Sequence, residues 1–320
     1  MNKFITLIVL TICTTSVFGQ QSGLFSQFTE SLIQYNPAFT GYRNSINASM
    51  FYRMQWAGFE GAPTSQMIAV DTKIKKTEFS LGGVVFLDKA GPLSQKTISL
   101  NASYRMKIDR KNFISFGMKL SGFIYNVSLQ DRNIVNESDE VYYENVNSLF
   151  QPNTGFGMLY TSNNFFVSLS SPNMLKNQLD KGEYALVERD NTKNATHYFM
   201  MGYLYKIDHM VSLKGILLAR ATEGSPYSVG INTTLIIKDG KSRRRSKPEK
   251  VNIGINYYFQ EHLALFTQLR VKRDYLLGYS ASIPASKLIG YSGLTHELMI
   301  NYSLRYARNK RQRIISPAKF

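Results

Sequence analysis

Residues 97–108 read Thr-Ile-Ser-Leu-Asn-Ala-Ser-Tyr-Arg-Met-Lys-Ile, with an apolar side chain at every second position. In an extended chain Ile98, Leu100, Ala102, Tyr104, Met106 and Ile108 share one face, and Thr97, Ser99, Asn101, Ser103, Arg105 and Lys107 share the other. The same period of two returns near both ends. Ile46, Ala48, Met50, Tyr52, Met54 and Trp56 oppose Asn47, Ser49, Arg53 and Gln55, while Leu298, Ile300, Tyr302, Leu304 and Tyr306 oppose Glu297, Asn301, Ser303 and Arg305. Strands of globular proteins usually run about 5 or 6 residues, whereas a strand tilted across an outer membrane needs roughly 9 to 11, and these runs match the longer class.

Working outward, the pattern predicts 14 strands, at 46–56, 64–75, 77–88, 95–108, 112–127, 153–162, 164–171, 195–207, 210–222, 227–238, 250–259, 262–272, 273–284 and 293–307. An even number returns both termini to one side, as in bacterial single-chain barrels. The reading is therefore an all-β, single-chain, transmembrane antiparallel barrel over 46–307, apolar residues to lipid and polar residues to the lumen. A soluble exported sandwich would show the same period with the faces exchanged. Strand length and the aromatic content, 20 Tyr and 20 Phe in 320 residues, favour the membrane form. No run after the N-terminus approaches the roughly 18 apolar residues of a spanning helix.

Lys3, the apolar stretch 4–12 and Val17-Phe18-Gly19 before Gln20 read as a secretory signal over residues 1–19. The one cysteine, Cys13, falls inside it, so disulfides, Cys-metal sites and Cys nucleophiles are excluded from the chain that follows. Residues 22–45 carry Phe25, Phe28, Leu32, Ile33 and Tyr35 ahead of the first strand, and burial of these predicts that the 20–45 segment enters or caps the lumen. With the N-terminus periplasmic, the turns at 75–76, 109–112, 162–164, 208–209 and 273–274 face the periplasm. The longer stretches 57–63, 88–94, 128–152, 172–194 and 285–292 then face outside.

Charge divides in the same way within a formal net +16. Lys238, Lys241, Arg243, Arg244, Arg245, Lys247 and Lys250 crowd one predicted periplasmic hairpin, and Arg308, Lys310, Arg311, Arg313 and Lys319 fill a basic tail at 308–320. The outer loops are acidic, with Asp131, Glu137, Asp139, Glu140 and Glu144 in one and Asp180, Glu183, Glu188 and Asp190 in another. A basic face steers an acidic periplasmic partner or contacts lipid headgroups; nucleic acid is not expected for an exported chain.

Chemistry is sparse. His197, His209, His262 and His296 are scattered without a second His or a carboxylate at ligand spacing, and no Gly-x-Ser-x-Gly elbow or phosphate-cradling loop occurs. Gly82-Gly83 and Gly155-Phe156-Gly157 lie within strands, where glycine relieves crowding or marks a bend. No enzyme activity, cofactor or metal is expected.

Three segments resemble one family. Tyr35-Asn36-Pro37-Ala38-Phe39-Thr40-Gly41 resembles its early Asn-Pro-Ala-aromatic-x-Gly signature, and Tyr52-Arg53-Met54-Gln55-Trp56, followed by Phe59-Glu60-Gly61-Ala62-Pro63-Thr64, resembles its Tyr-Arg-x-Gln-Trp and Gly-Ala-Pro block. Ser316-Pro317-Ala318-Lys319-Phe320 is similar to its Ser-Pro-x-x-Phe end, with 153–160, 171–175 and 296–298 as supporting pieces. This is the PorP/SprF family of type IX secretion outer-membrane proteins. The resemblance implies a 14-stranded barrel without catalysis, serving export, surface anchoring or gliding. Its partners would be a secreted or surface adhesin cargo, held through its C-terminal domain, and periplasmic or lipoprotein machinery. A barrel transporting small or hydrophobic solutes is the alternative, and a lumen plugged by 22–45 would disfavour it.

Overall fold

A computed structural model describes residues 24–43, 45–59, 61–127, 146–175, 195–223, 225–239, 249–259, 261–272, 274–285 and 293–305. The signal over 1–19, the acidic-loop residues Glu137, Asp139, Glu140 and Glu144, the basic hairpin residues Arg243, Arg244, Arg245 and Lys247, and the tail with Arg308, Arg311 and Arg313 lie outside the described residues.

Fourteen strands close into an antiparallel barrel: β1 (Ser45–Met54), β2 (Thr64–Lys73), β3 (Phe79–Ala90), β4 (Leu93–Lys107), β5 (Phe113–Val127), β6 (Val146–Thr161), β7 (Phe165–Asn173), β8 (Thr196–Lys206), β9 (Val211–Thr222), β10 (Ser228–Lys238), β11 (Glu249–Tyr258), β12 (His262–Arg270), β13 (Tyr275–Pro284) and β14 (Thr295–Arg305). Each strand pairs with its sequence neighbours, and β1 closes on β14 from Ser45 opposite Arg305 to Met54 opposite His296. No edge is left, so the ladder satisfies the backbone groups that hydrocarbon cannot.

The faces are inverted relative to a soluble protein. In β4, Leu100 is 67% exposed while the adjacent Asn101 is 2% exposed, and Ile98, Tyr104 and Met106 continue the outward stripe. Only a surrounding apolar solvent makes that arrangement favourable, because an exposed apolar band of this extent costs free energy in water. The sandwich alternative is thereby removed. Outward aromatic pairs gird the short-turn end: Phe79 with Tyr104 at 4.9 Å, Tyr160 with Phe165 at 5.6 Å and Tyr275 with Tyr302 at 4.9 Å between ring centroids.

Most strand ends shift by one to three residues from the sequence reading, and three differences change what a stretch does. The stretch 88–94 is no loop: β3 and β4 are joined by Gly91 and Pro92 alone, Gly91 at φ +56° making the tight turn. β6 starts at Val146 rather than 153, because it follows β5 up to the Val127–Val146 pairing. β1 ends at Met54; Trp56 lies in the following bend at φ +53°, off the strand. Lys107, assigned to the lumen face, is exposed at the barrel mouth where β4 ends.

Candidate functional site: the lumen and its inserted segment

Residues 24–43 lie inside the barrel. Their regular structure is three single 3-10 turns, Phe28–Glu30, Leu32–Gln34 and Pro37–Phe39, so most backbone groups have no partner within the segment. The wall supplies them. At the loop end Arg53 Nη1 donates to the Leu24 carbonyl at 2.7 Å, and Glu297 accepts from the Ser26 and Gln27 N–H groups at 2.9 and 3.0 Å. Asn256 donates to the Ser26 carbonyl at 2.9 Å, and Gln268 to the Gln27 side-chain oxygen at 3.1 Å. In mid-lumen Ser49 and Ser170 donate to the carbonyls of Glu30 and Tyr35 at 3.1 and 2.8 Å. At the turn end Ser103 donates to the Thr40 carbonyl at 2.8 Å, Arg105 to the Gly41 carbonyl at 3.3 Å, and Asp71 accepts from the Gly41 N–H at 2.8 Å. The segment thus crosses the lumen from the loop end to the turn end before entering β1.

Its apolar side chains meet aromatic residues that break the polar phase of the wall. Phe25 packs on Phe51 at 5.1 Å and Phe86 at 6.1 Å, Phe39 on Phe166 at 5.3 Å, and Tyr35 on Tyr198 at 5.5 Å. These inward aromatics were the available sequence signal for an inserted partner: Phe51 stands in the register of Asn47, Ser49 and Arg53. Within the segment Arg43 pairs with Glu30 at 3.0 Å.

The early motif is a docking element. Asn36 caps the third 3-10 turn by accepting from the Ala38 N–H at 2.8 Å, with Pro37 at the first helical position, and its amide donates to the carbonyls of Met158 and Leu169 at 3.1 and 3.3 Å. Gly117 and Gly157, register partners across β5 and β6, form the notch beneath it. A Cβ at Gly157 would land on Asn36 Oδ1, and one at Gly117 on the Pro37–Ala38 peptide. Gly41 adopts φ +66° against Ser80, where a side chain would collide.

The second motif divides. Arg53 faces the lumen and is 5% exposed, whereas Tyr52 faces outward at 38%. Gln55, Trp56, Gly61, Ala62 and Pro63 build the β1–β2 connection: the Gln55 N–H donates to the Pro63 carbonyl at 2.9 Å, the Trp56 N–H to Thr295 Oγ1 at 3.4 Å, and the Ala62 N–H to the Phe59 carbonyl at 3.2 Å. The Gly61 carbonyl accepts from the Gly91 N–H at 3.3 Å, tying this connection to the next. The supporting pieces also meet: the Asn153 side chain accepts from the Met174 and Leu175 N–H groups at 2.9 and 3.1 Å and donates to the Leu175 carbonyl at 2.8 Å, beside the irregular pairing around Pro172. Among the histidines, His296 is bonded to the Tyr279 hydroxyl at 2.7 Å and His262 lies 4.9 Å from the Tyr258 ring. Among the described residues no three His, Cys, Asp or Glu side chains gather where they could hold a metal.

Residues 17–302 match the family described as type IX secretion system membrane protein PorP/SprF. The chain belongs to the PorP/SprF family. No curated protein is similar in sequence at a significant level. Among solved structures the barrel is similar to the CymD monoaromatic hydrocarbon channel, with 10% identity and a TM-score of 0.53 over 91% of this chain and 95% of that one. It is also similar to the Pseudomonas putida toluene transporter TodX, with 10% identity and a TM-score of 0.49 over 91% and 100% of the two chains. At such identities the likeness is one of fold: a PorP/SprF member is built on the architecture of outer-membrane barrels.

Proposed function

We propose that this PorP/SprF barrel works as a closed, non-catalytic platform in type IX secretion, not as a solute channel. The observation that carries this reading is the segment 24–43 crossing the lumen, held at both ends by charged side chains, the buried Arg53 and Glu297 above and the half-buried Asp71 and buried Arg105 below. A water-filled porin keeps its lumen open, whereas here the lumen receives polypeptide. The outer rim, with the acidic residues Glu137, Asp139, Glu140 and Glu144, then holds a secreted or surface adhesin cargo by its C-terminal domain. The basic residues Arg243, Arg244, Arg245, Lys247, Arg308, Arg311 and Arg313 couple to periplasmic or lipoprotein machinery by complementary charge.

Cells lacking the chain are expected to lose surface display of a type IX cargo, and the full chain to restore it, while the purified protein in planar bilayers carries no steady current. Normal display in the deletion, or a steady open conductance of the wild type, overturns the reading. Replacing Arg243, Arg244 and Arg245 with Ala tests the inner face through salt-dependent capture of the partner, and shortening 132–144 tests the outer loop through cargo retention.

A further inference from the structure

Four of the short turns share a pattern that the platform reading does not use. Ile74, Ile108, Ile207 and Val271 occupy equivalent places: each donates its N–H across the last rung before the turn, to Phe79, Asn112, Val211 and Tyr275 at 2.9 to 3.2 Å. Each continues the outward, lipid-facing phase of its strand and is 38 to 55% exposed. Each is flanked by exposed basic residues, Lys75 and Lys76 after Ile74, Lys107, Arg110 and Lys111 around Ile108, Lys206 before Ile207, and Lys272 after Val271. The acidic residues of two of these turns are folded onto their own backbone. Asp109 accepts from the Lys111 and Asn112 N–H groups at 2.6 and 2.9 Å, and Asp208 from the Met210 and Val211 N–H groups. In the β2–β3 turn Glu78 is taken up by Lys73 at 2.7 Å, so what these turns present at the rim is an outward apolar side chain with exposed cationic neighbours.

We infer that the turn end of the barrel carries a ring that binds the headgroups of anionic phospholipid in the inner leaflet. The turns belong to the β2–β3, β4–β5, β8–β9 and β12–β13 hairpins and so are distributed around the circumference. A protein docked beneath the barrel needs one contiguous patch; a set of sites spaced round the rim is matched by the bilayer that surrounds it. The apolar member lies at the aromatic girdle, Ile74 opposite Phe79 and Val271 opposite Tyr275, and the long cationic side chains reach the phosphate layer. The short-turn end is the inner-leaflet end in barrels of this architecture.

The test uses the full chain in mild detergent with phosphatidylglycerol and phosphatidylcholine added together, and counts bound lipids by native mass spectrometry. The wild type is expected to retain phosphatidylglycerol about fivefold over phosphatidylcholine at about 50 mM salt, falling towards parity at about 500 mM. The variant with Lys75, Lys76, Arg110, Lys111 and Lys272 each changed to Gln should lose that preference while keeping the heat-modifiable gel mobility of a folded barrel. Lys89→Gln with Lys96→Gln, at the opposite end, should keep it. No phosphatidylglycerol preference in the wild type, or a preference that survives in the five-site variant, overturns the inference. A five-site variant that keeps its lipid preference but loses an acidic periplasmic protein would assign the ring to protein docking instead. None of these outcomes bears on the occupied lumen.

Discussion

Arg53 and Glu297 are register partners across the seam where the first strand meets the last, and both reach the backbone of one short stretch, Leu24 to Gln27. Closing the barrel and seating the inserted segment are consequently coupled: the seam sets the two charges side by side, and the segment makes hydrogen bonds with both. Both side chains are buried, at 5 and 1% exposed, where a charge left unpartnered is costly.

Arg53→Met is expected to cost about 1–3 kcal/mol, since the Leu24 carbonyl loses its donor in a buried setting. Glu297→Gln, which still accepts one bond but strands an N–H, should cost a similar amount. Because both act on one stretch, the double variant is expected to fall short of the sum by about 0.5 kcal/mol or more. Equilibrium unfolding in urea, with proteolysis at residues 24–27 as a second probe, measures it; strict additivity would separate the two contacts.

Gly157→Ala and Gly117→Ala should each displace residues 36–38 from their notch, because the new methyl meets Asn36 or the Pro37–Ala38 backbone rather than a yielding side chain. The expected cost is about 1–3 kcal/mol, with intermittent conductance in planar bilayers. Gly215→Ala serves as the control, having nothing within 4 Å of the new atom. Equal behaviour of the three variants would refute the notch.

Leu100→Arg places a charge on the lipid face in the middle of β4 and should destabilise the folded barrel by about 2–4 kcal/mol in bilayers. Lys96→Leu, nearer the loop end on the same face, should be close to neutral or favourable. Reversible folding into lipid vesicles distinguishes these outcomes, and a tolerated Leu100→Arg would place that face in water.

Asp109 and Asp208 lie outside the spanning strands. Backbone N–H donation to each, from Lys111 and from Met210 respectively, holds their carboxyls below the usual carboxylate value. A depressed folded-state pKa stabilises the fold above the unfolded value of about 3.9 and loses that contribution as pH falls through the folded value. The pair Asp109→Asn with Asp208→Asn should therefore be less stable than the wild type at pH 6, the difference vanishing as the medium is acidified below about pH 4. Urea unfolding across that range checks the sign.

Much of this architecture was legible because a membrane barrel writes itself in a period of two, and β4 displays that period without interruption from Thr97 to Lys107. Boundaries failed where geometry, not side-chain type, decides: Gly91 and Pro92 suffice for a turn that composition reads as a loop, and β6 is lengthened by the partner it pairs with. Asn36, Gly41 and Arg53 stood out in the sequence, yet their partners Met158, Asp71 and Leu24 did not. Glu297 looked like one more polar residue on an inward face.

The order of side chains alone determined that the chain forms long alternating strands, that there are enough of them to close, and that an apolar segment precedes them in need of cover. Tertiary structure decided which inward residues meet that segment. Strand stagger carries residues 53 and 297, distant along the chain, to the same level, and sets Gly117 opposite Gly157 as a recess for Asn36. Register is a property of closure around the whole ring, so no local stretch of sequence encodes it.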